Sequence, residues 1–301
     1  MNITITGNLG SGKSTVCKEL AKIDYQIIST GTIFREIAKE RGLSVVELNE
    51  EVNREIAAGK HDIDDMIDNR SKRLGDELDN AVFDSRLAWN FVNDSFKVFL
   101  TVDINEAAAR VFNDNRDTET YASVQECKKA LLDRQLLEQE RFEKLYGIDY
   151  YNMNNYNLVL ETTNAKPETI AAEILKRFEE YKQQKFKQIM LLNPTSVYPT
   201  ESIGEVQEYA LSQSAMEEKS SYQTIEVGLK NNEWYVLDGQ KKLLEAICKE
   251  QPFIYAVAGK KEVPSADKSL IHDFEKIGQF QYKKYPVEQD EKNLIHFEAA
   301  F

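Results

Sequence analysis

At 301 residues with 42% apolar side chains, the chain is long enough for two domains, each with a proper core, because single cores stop growing near ~250 residues. A net charge of −13 disfavours a general nucleic-acid or anionic-membrane binder, since both need a basic surface to displace counterions. Cys17, Cys127 and Cys248 fit neither a metal-ligand spacing nor an even disulfide framework, and there is no signal-peptide pattern or membrane-spanning apolar run. The expectation is a cytoplasmic protein with core or surface thiols and no membrane partner.

The chain opens with Asn2–Thr6, a β-branched run that reads as a buried strand. Gly7 to Thr15 then spells G-x-x-x-x-G-K-[ST], and Val16, Leu20 and Ile23 follow on one helical face. Glycines at 7, 10 and 12 let the backbone curl so that its N–H groups, with Ser11 and Thr15, face a polyphosphate at a helix N-terminus. In such a loop Lys13 would reach the β and γ phosphates of ATP, and Ser14 would hold Mg2+.

Further candidate strands are Gln26–Ser29, Ala81–Asp84, Phe96–Val102 and Asn157–Thr162, with helical patterns between them. That alternation predicts an α/β fold with a parallel sheet covered on both faces and ligands beyond the strand C-terminal ends. The polar groups expected there are Ser29, Thr30 and Gly31 with Arg35, and Asp84 with Arg86. Asp84 is a helix cap or a partner of the Mg2+ shell, and the metal role suits a carboxylate beside a phosphate loop. Arg35 and Arg86 are surface ion pairs or a bidentate clamp on an acceptor phosphate, and the clamp is favoured because positioning is most of what such an enzyme supplies.

The segments Ile28–Gly42, Asp84–Trp89 and Arg141–Asp149, together with the phosphate loop, resemble archaeal-type cytidylate kinases, which are P-loop nucleoside monophosphate kinases. The resemblance runs through about residues 1–180. It implies a five-stranded parallel core, an acceptor-binding region near 30–75, and a lid near 110–142. It also makes Arg110, Arg116, Arg134 and Arg141 candidates for closing over the phosphates, although Arg134, Glu138 and Arg141 recur at helical spacing and could pair along a surface. Asp62, Asp64 and Asp65 read as an acidic first helical turn or as a contact to the acceptor base, with the helix start preferred.

Every proline but Pro167 follows residue 190, and no arginine follows Arg177, so a boundary is expected after the helix that Pro167 begins. The expected domains are 1–182 and 188–301. In the second, Ile189–Leu192, Ile225–Val227 and Trp234–Leu237 read as strands, and Asp238-Gly239 is a turn leading into Leu243, Leu244 and Ile247 on one helical face. The run from Val236 to Ala246 resembles the ParB/sulfiredoxin-like domain, a smaller α+β unit that binds phosphate where strand, turn and helix meet a basic side chain. Asp238, Gly239, Lys241 and Lys242 are its candidate residues. For the two lysines an ordinary exposed helix start stands beside the phosphate-binding reading.

The combined expectation is an ATP- and Mg2+-dependent nucleoside monophosphate kinase acting on a CMP-like or related small phosphorylated acceptor. A nucleotide-dependent switch whose C-terminal part binds a protein or nucleic acid is one alternative. A bifunctional enzyme with a second small-molecule kinase is the other.

Overall fold

The computed structural model describes residues 1–114, 121–203, 223–230, 233–265 and 267–282. The first half runs β1 (Asn2–Gly7), α1 (Lys13–Ala21), β2 (Gln26–Ser29), α2 (Thr30–Glu40), α3 (Val45–Ala57), α4 (Asp62–Glu77) and β3 (Ala81–Asp84). It continues with α5 (Ala88–Phe91), β4 (Ser95–Thr101), α6 (Ile104–Asn113), α7 (Val124–Tyr146), β5 (Leu158–Glu161) and α8 (Pro167–Gln183). The second half contributes β6 (Ile189–Leu192), β7 (Val197–Tyr198), β8 (Thr224–Lys230), β9 (Glu233–Asp238), α9 (Gln240–Cys248), β10 (Ile254–Ala258) and α10 (Lys268–Gly278).

Strands β2, β3, β1, β4 and β5 lie side by side and all pair in parallel, which is the expected five-stranded core. All six residues of β1 are buried, because both faces of the sheet are covered. On one face Val16 and Leu20 of α1 meet Ile174 and Phe178 of α8 over Ile3, Ile5 and Val98. On the other, Ile33 and Ile37 of α2 and Ile63 of α4 close over Ile28 and Phe83. Ile23, expected on the buried face of α1, lies beyond the end of that helix and is exposed.

The helix boundaries have local causes. Ser29 Oγ accepts the Thr32 N–H at the start of α2, and Ser44 and Glu47 form a reciprocal capping box at the start of α3. Ser123 caps α7, and Gly147 ends it in the left-handed region at φ 65°.

Between the end of α8 and the start of β6, where a boundary is expected, the chain passes from helix to strand without leaving the sheet. β6 adds in parallel to β5, β10 pairs antiparallel with β6, and β8, β9 and β7 complete a single ten-stranded sheet. The physical reason is continuous apolar packing across the join. Phe99, Tyr151 and Val159 belong to the same buried cluster as Leu192, Val236, Leu243 and Phe274. Arg177 of α8 is 3% exposed, bonds Glu173 at 2.6 Å, and stacks 5.0 Å from the Tyr255 ring of β10. Among the described residues no helix is long and apolar enough to cross a membrane.

Candidate active site

The phosphate loop occupies residues 8–12, between the end of β1 and the first turn of α1. Its backbone needs glycine. A Cβ on Gly7, at φ 151°, would lie 2.2 Å from the Leu100 carbonyl oxygen, and one on Gly10 would overlap Ala107 of α6. Gly12 caps α1 in the left-handed region at φ 84°, and its carbonyl accepts the N–H groups of Thr15 and Val16. Ser11 Oγ is buried without a hydrogen-bond partner. Loop amides, helix N-terminus and an unanswered hydroxyl suit a polyphosphate, so the residues present fit ATP.

Lys13 folds back over this loop, donating to the carbonyls of Gly7 at 3.2 Å and Asn8 at 3.3 Å. Burial lowers its pKa to about 7, helped by the charge of Arg86 and opposed by Asp84 and Glu138. Beside it Ser14 Oγ lies 3.4 Å from Asp84 Oδ2. A hydroxyl and a carboxylate converging at a strand end form an oxygen donor pair of the kind that suits Mg2+.

β2 and β3 end in register, with Ser29 opposite Asp84, so Thr30, Gly31 and Arg35 on α2 start from the strand next to the one that carries Arg86. Arg35 is exposed and donates to Thr32 Oγ1 at 3.2 Å. Arg86 is turned inward, with Nε 2.9 Å from Glu138 Oε2 and NH1 3.2 Å from the Gly7 carbonyl. Burial alone would lower the pKa of Arg86, but the negative field of Glu138 prevails and raises it.

The arginines expected to close over the phosphates are drawn to three different places. Arg110 bonds Glu106 and donates to the carbonyls of Gly10, Thr162 and Thr163, tying α6 to the phosphate loop and to the end of β5. Arg134 pairs with Glu138 four residues on. Arg141 reaches across to Asp64 of α4 at 2.5 Å, and five residues later the Tyr146 hydroxyl donates to Asp68 at 2.7 Å. Burial pushes the Asp68 carboxyl up to about 6, with Asp64 and Asp65 adding to it and the Tyr146 bond opposing. The acidic start of α4 is therefore a helix start, as expected, that also holds α7. Arg116 lies outside the described residues.

Sequence reasoning missed Glu138 as a site residue. It accepts from Arg86, Arg134 and the Tyr150 hydroxyl, which makes it the half-buried counter-charge of the centre. Its only signal was the i,i+4 spacing from Arg134. Thr162 was missed as well; its hydroxyl donates to the Ser11 carbonyl at 3.1 Å from the far side of the loop.

In the second half Gly239, at φ 96°, caps α9 directly after β9. Lys241 and Lys242 are exposed on the first turn, and Lys242 Nζ donates to the Thr224 carbonyl at 3.0 Å. Cys17 and Cys127 are buried thiols and Cys248 is an exposed one.

A parallel P-loop sheet whose lysine, serine and strand-end aspartate converge defines a nucleoside monophosphate kinase-like enzyme. The chain belongs to the cytidylate kinase-like family, whose sequence model matches residues 2–164. Cytidylate kinase of Thermoplasma volcanium is 36% identical over 185 residues, covering 60% of this chain and 92% of that protein. Cytidylate kinase of Pyrococcus abyssi is 33% identical over 172 residues, 56% of this chain and 89% of that protein. An S-adenosylmethionine-dependent nucleotide dehydratase of Lacinutrix mariniflava is 29% identical over 180 residues, which is 59% of this chain but 36% of that larger protein.

Proposed function

We propose that the chain transfers the γ-phosphoryl group of ATP, with Mg2+, to a pyrimidine nucleoside monophosphate of the CMP or dCMP kind. The observation that carries this reading is the convergence of Lys13, Ser14 and Asp84 at one strand end, inside the segment that matches the family. Lys13 and the loop amides would hold the polyphosphate, and Ser14 and Asp84 would hold the metal. Bound Mg2+ neutralises phosphate charge and orients the phosphates. Arg35 and Arg86, reached from neighbouring strand ends, would fix the acceptor phosphate beside Thr30 and Gly31. Arg110, Arg134 and Arg141, with Arg116, would serve the lid, shielding the transfer from water so that hydrolysis does not compete. An acceptor phosphate is already nucleophilic, so the chain need not supply a base.

Residues 188–301 are read as a ParB/sulfiredoxin-like module, supported by the passage of β9 through Gly239 into α9. A second reading, a bifunctional chain whose C-terminal part is a separate small-molecule kinase, is supported by the likeness to about a third of an S-adenosylmethionine-dependent nucleotide dehydratase, in which such a segment is joined to further sequence.

The deciding experiment measures ADP release from Mg2+-ATP with CMP, dCMP, UMP, AMP, GMP and dTMP supplied singly. Stimulation by a pyrimidine monophosphate, lost in Lys13→Ala, is the expected result. ATP binding with no stimulation by any of the six would overturn the reading.

A further inference from the structure

A cavity of about 500 Å³ lies at the end of the sheet opposite the phosphate loop, a volume in the range of small-molecule pockets. Asp94 and Ser95 at the start of β4 and Asn157 just before β5 line it, whereas the phosphate loop follows the other end of the parallel strand β1. Tyr181 of α8, with Phe186 and Lys187 from the segment leading into β6, closes it.

Two lysines line this cavity, Lys97 and Lys187. Lys97 stands inside β4, a strand flanked by β1 and β5 whose other six residues are all buried. A charge in a covered strand is costly unless something answers it. Among the described residues the Lys97 ammonium makes no hydrogen bond or ion pair, and it lies 5.6 Å from the centre of the Trp89 ring. Burial lowers its pKa, and no carboxylate opposes that shift. Lys187 Nζ is likewise without a partner among the described residues, although the Lys187 carbonyl accepts from Asn157. Asp94, the one acidic residue among the described lining residues, is already paired with Lys185 at 3.4 Å. The cavity therefore gathers uncompensated positive charge in a chain whose net charge is −13. Two ammonium groups act as point charges with several donors each, which suits the multivalent oxygens of a phosphate, whereas a planar carboxylate is matched better by a guanidinium fork.

We propose that this cavity binds a small phosphate- or pyrophosphate-bearing compound, whose oxygens accept from Lys97 and Lys187. It is a second anion site, separated from the phosphate loop by the length of the strands. The site does not depend on the phosphoryl-transfer reading, because binding is measured without turnover.

The chain has two tryptophans, so Trp234→Phe leaves Trp89, beside Lys97, as the sole indole reporter. Lys13→Ala is added to weaken the phosphate loop as a competing site. Inorganic pyrophosphate is titrated against this protein, with citrate as a carboxylate control and sodium chloride at matched ionic strength. A saturable change in Trp89 emission is expected with pyrophosphate, at lower concentration than with citrate, and none with chloride. Affinity for pyrophosphate should fall by about tenfold or more in Lys97→Met and measurably in Lys187→Met. It should hold in Lys249→Met, which removes a charge just beyond α9. Circular dichroism checks the fold of each variant, and should Lys97→Met not fold, the exposed Lys187 decides alone through Lys187→Met. No saturation with pyrophosphate in the millimolar range, citrate binding as tightly, an equal response to chloride, unchanged affinity in the folded variants, or the same loss in Lys249→Met overturns the proposal.

Discussion

The molecule builds the same local device twice with different results. α1 and α9 are both nine residues long, both begin at a left-handed glycine with no side-chain cap, and both carry lysine in the first turn. Before α1 the chain spends residues 8–12 on a loop, and Lys13 folds into it. Before α9 only Gly239 separates strand from helix, and Ile225 Cγ2 stands 2.9 Å from where a Cβ would be. A polyphosphate needs several backbone N–H groups facing one point, and one connecting residue cannot supply them. Loop length rather than the helix end therefore makes the cradle.

The largest effect that would test this contrast is on turnover. Lys13→Ala should lower kcat by about 10²-fold or more while leaving the fold intact, as read by ADP release and circular dichroism. Next comes stability. Gly7→Ala forces a Cβ against the Leu100 carbonyl and should cost roughly 3–5 kcal/mol in denaturant unfolding, whereas Gly239→Ala, meeting a side chain that can shift, should cost about 2 kcal/mol. Equal losses at the two glycines would contradict the contrast.

A smaller effect is in pH. Because the folded pKa of Lys13 is lowered to about 7 from 10.5, the folded chain holds fewer protons than the unfolded one between those values. Stability from this group therefore rises with pH through that window. A polyphosphate requires the ammonium form, so ATP affinity should fall above about pH 7, by up to about tenfold one unit higher. Calorimetry in buffers of different ionisation heat should register proton uptake on binding. The smallest effect is expected at Lys241→Ala and Lys242→Ala, within about 0.5 kcal/mol of stability and with unchanged ADP release. A large loss of turnover there would place a second functional phosphate site on α9.

Much of the first half could be read in advance because its signals are local. β2 and β3 matched their expected ends residue for residue, and Pro167 opens α8 where a proline at a first helical position should. The phosphate loop was legible for the same reason, since spelling, strand and helix lie within about twenty residues. What escaped depends on distant partners. Glu138 looked like half of a surface pair until Arg86, 52 residues away, was found against it, and Arg141 meets Asp64 across 77 residues. The single sheet escaped as well, because the parallel pairing of β6 to β5 crosses the expected boundary, and β10, which links β6 to β8, was not foreseen. The segment after Pro264 went unassigned, yet α10 carries Ile271, Phe274 and Ile277 at helical spacing behind an Asp267 cap, local signals that could have found it.

The parallel pairing of β6 to β5 has a consequence for how the chain comes apart. β6 covers the backbone edge of Leu158, Val159 and Leu160, so a fragment ending at residue 182 would bare an unpaired strand edge in an apolar segment, ready to recruit strands from other molecules. Such a fragment should self-associate on size-exclusion chromatography, while the intact chain should melt in one transition seen alike by Trp89 and Trp234. The pairing that joins the halves is thus also a seal over the outer edge of β5.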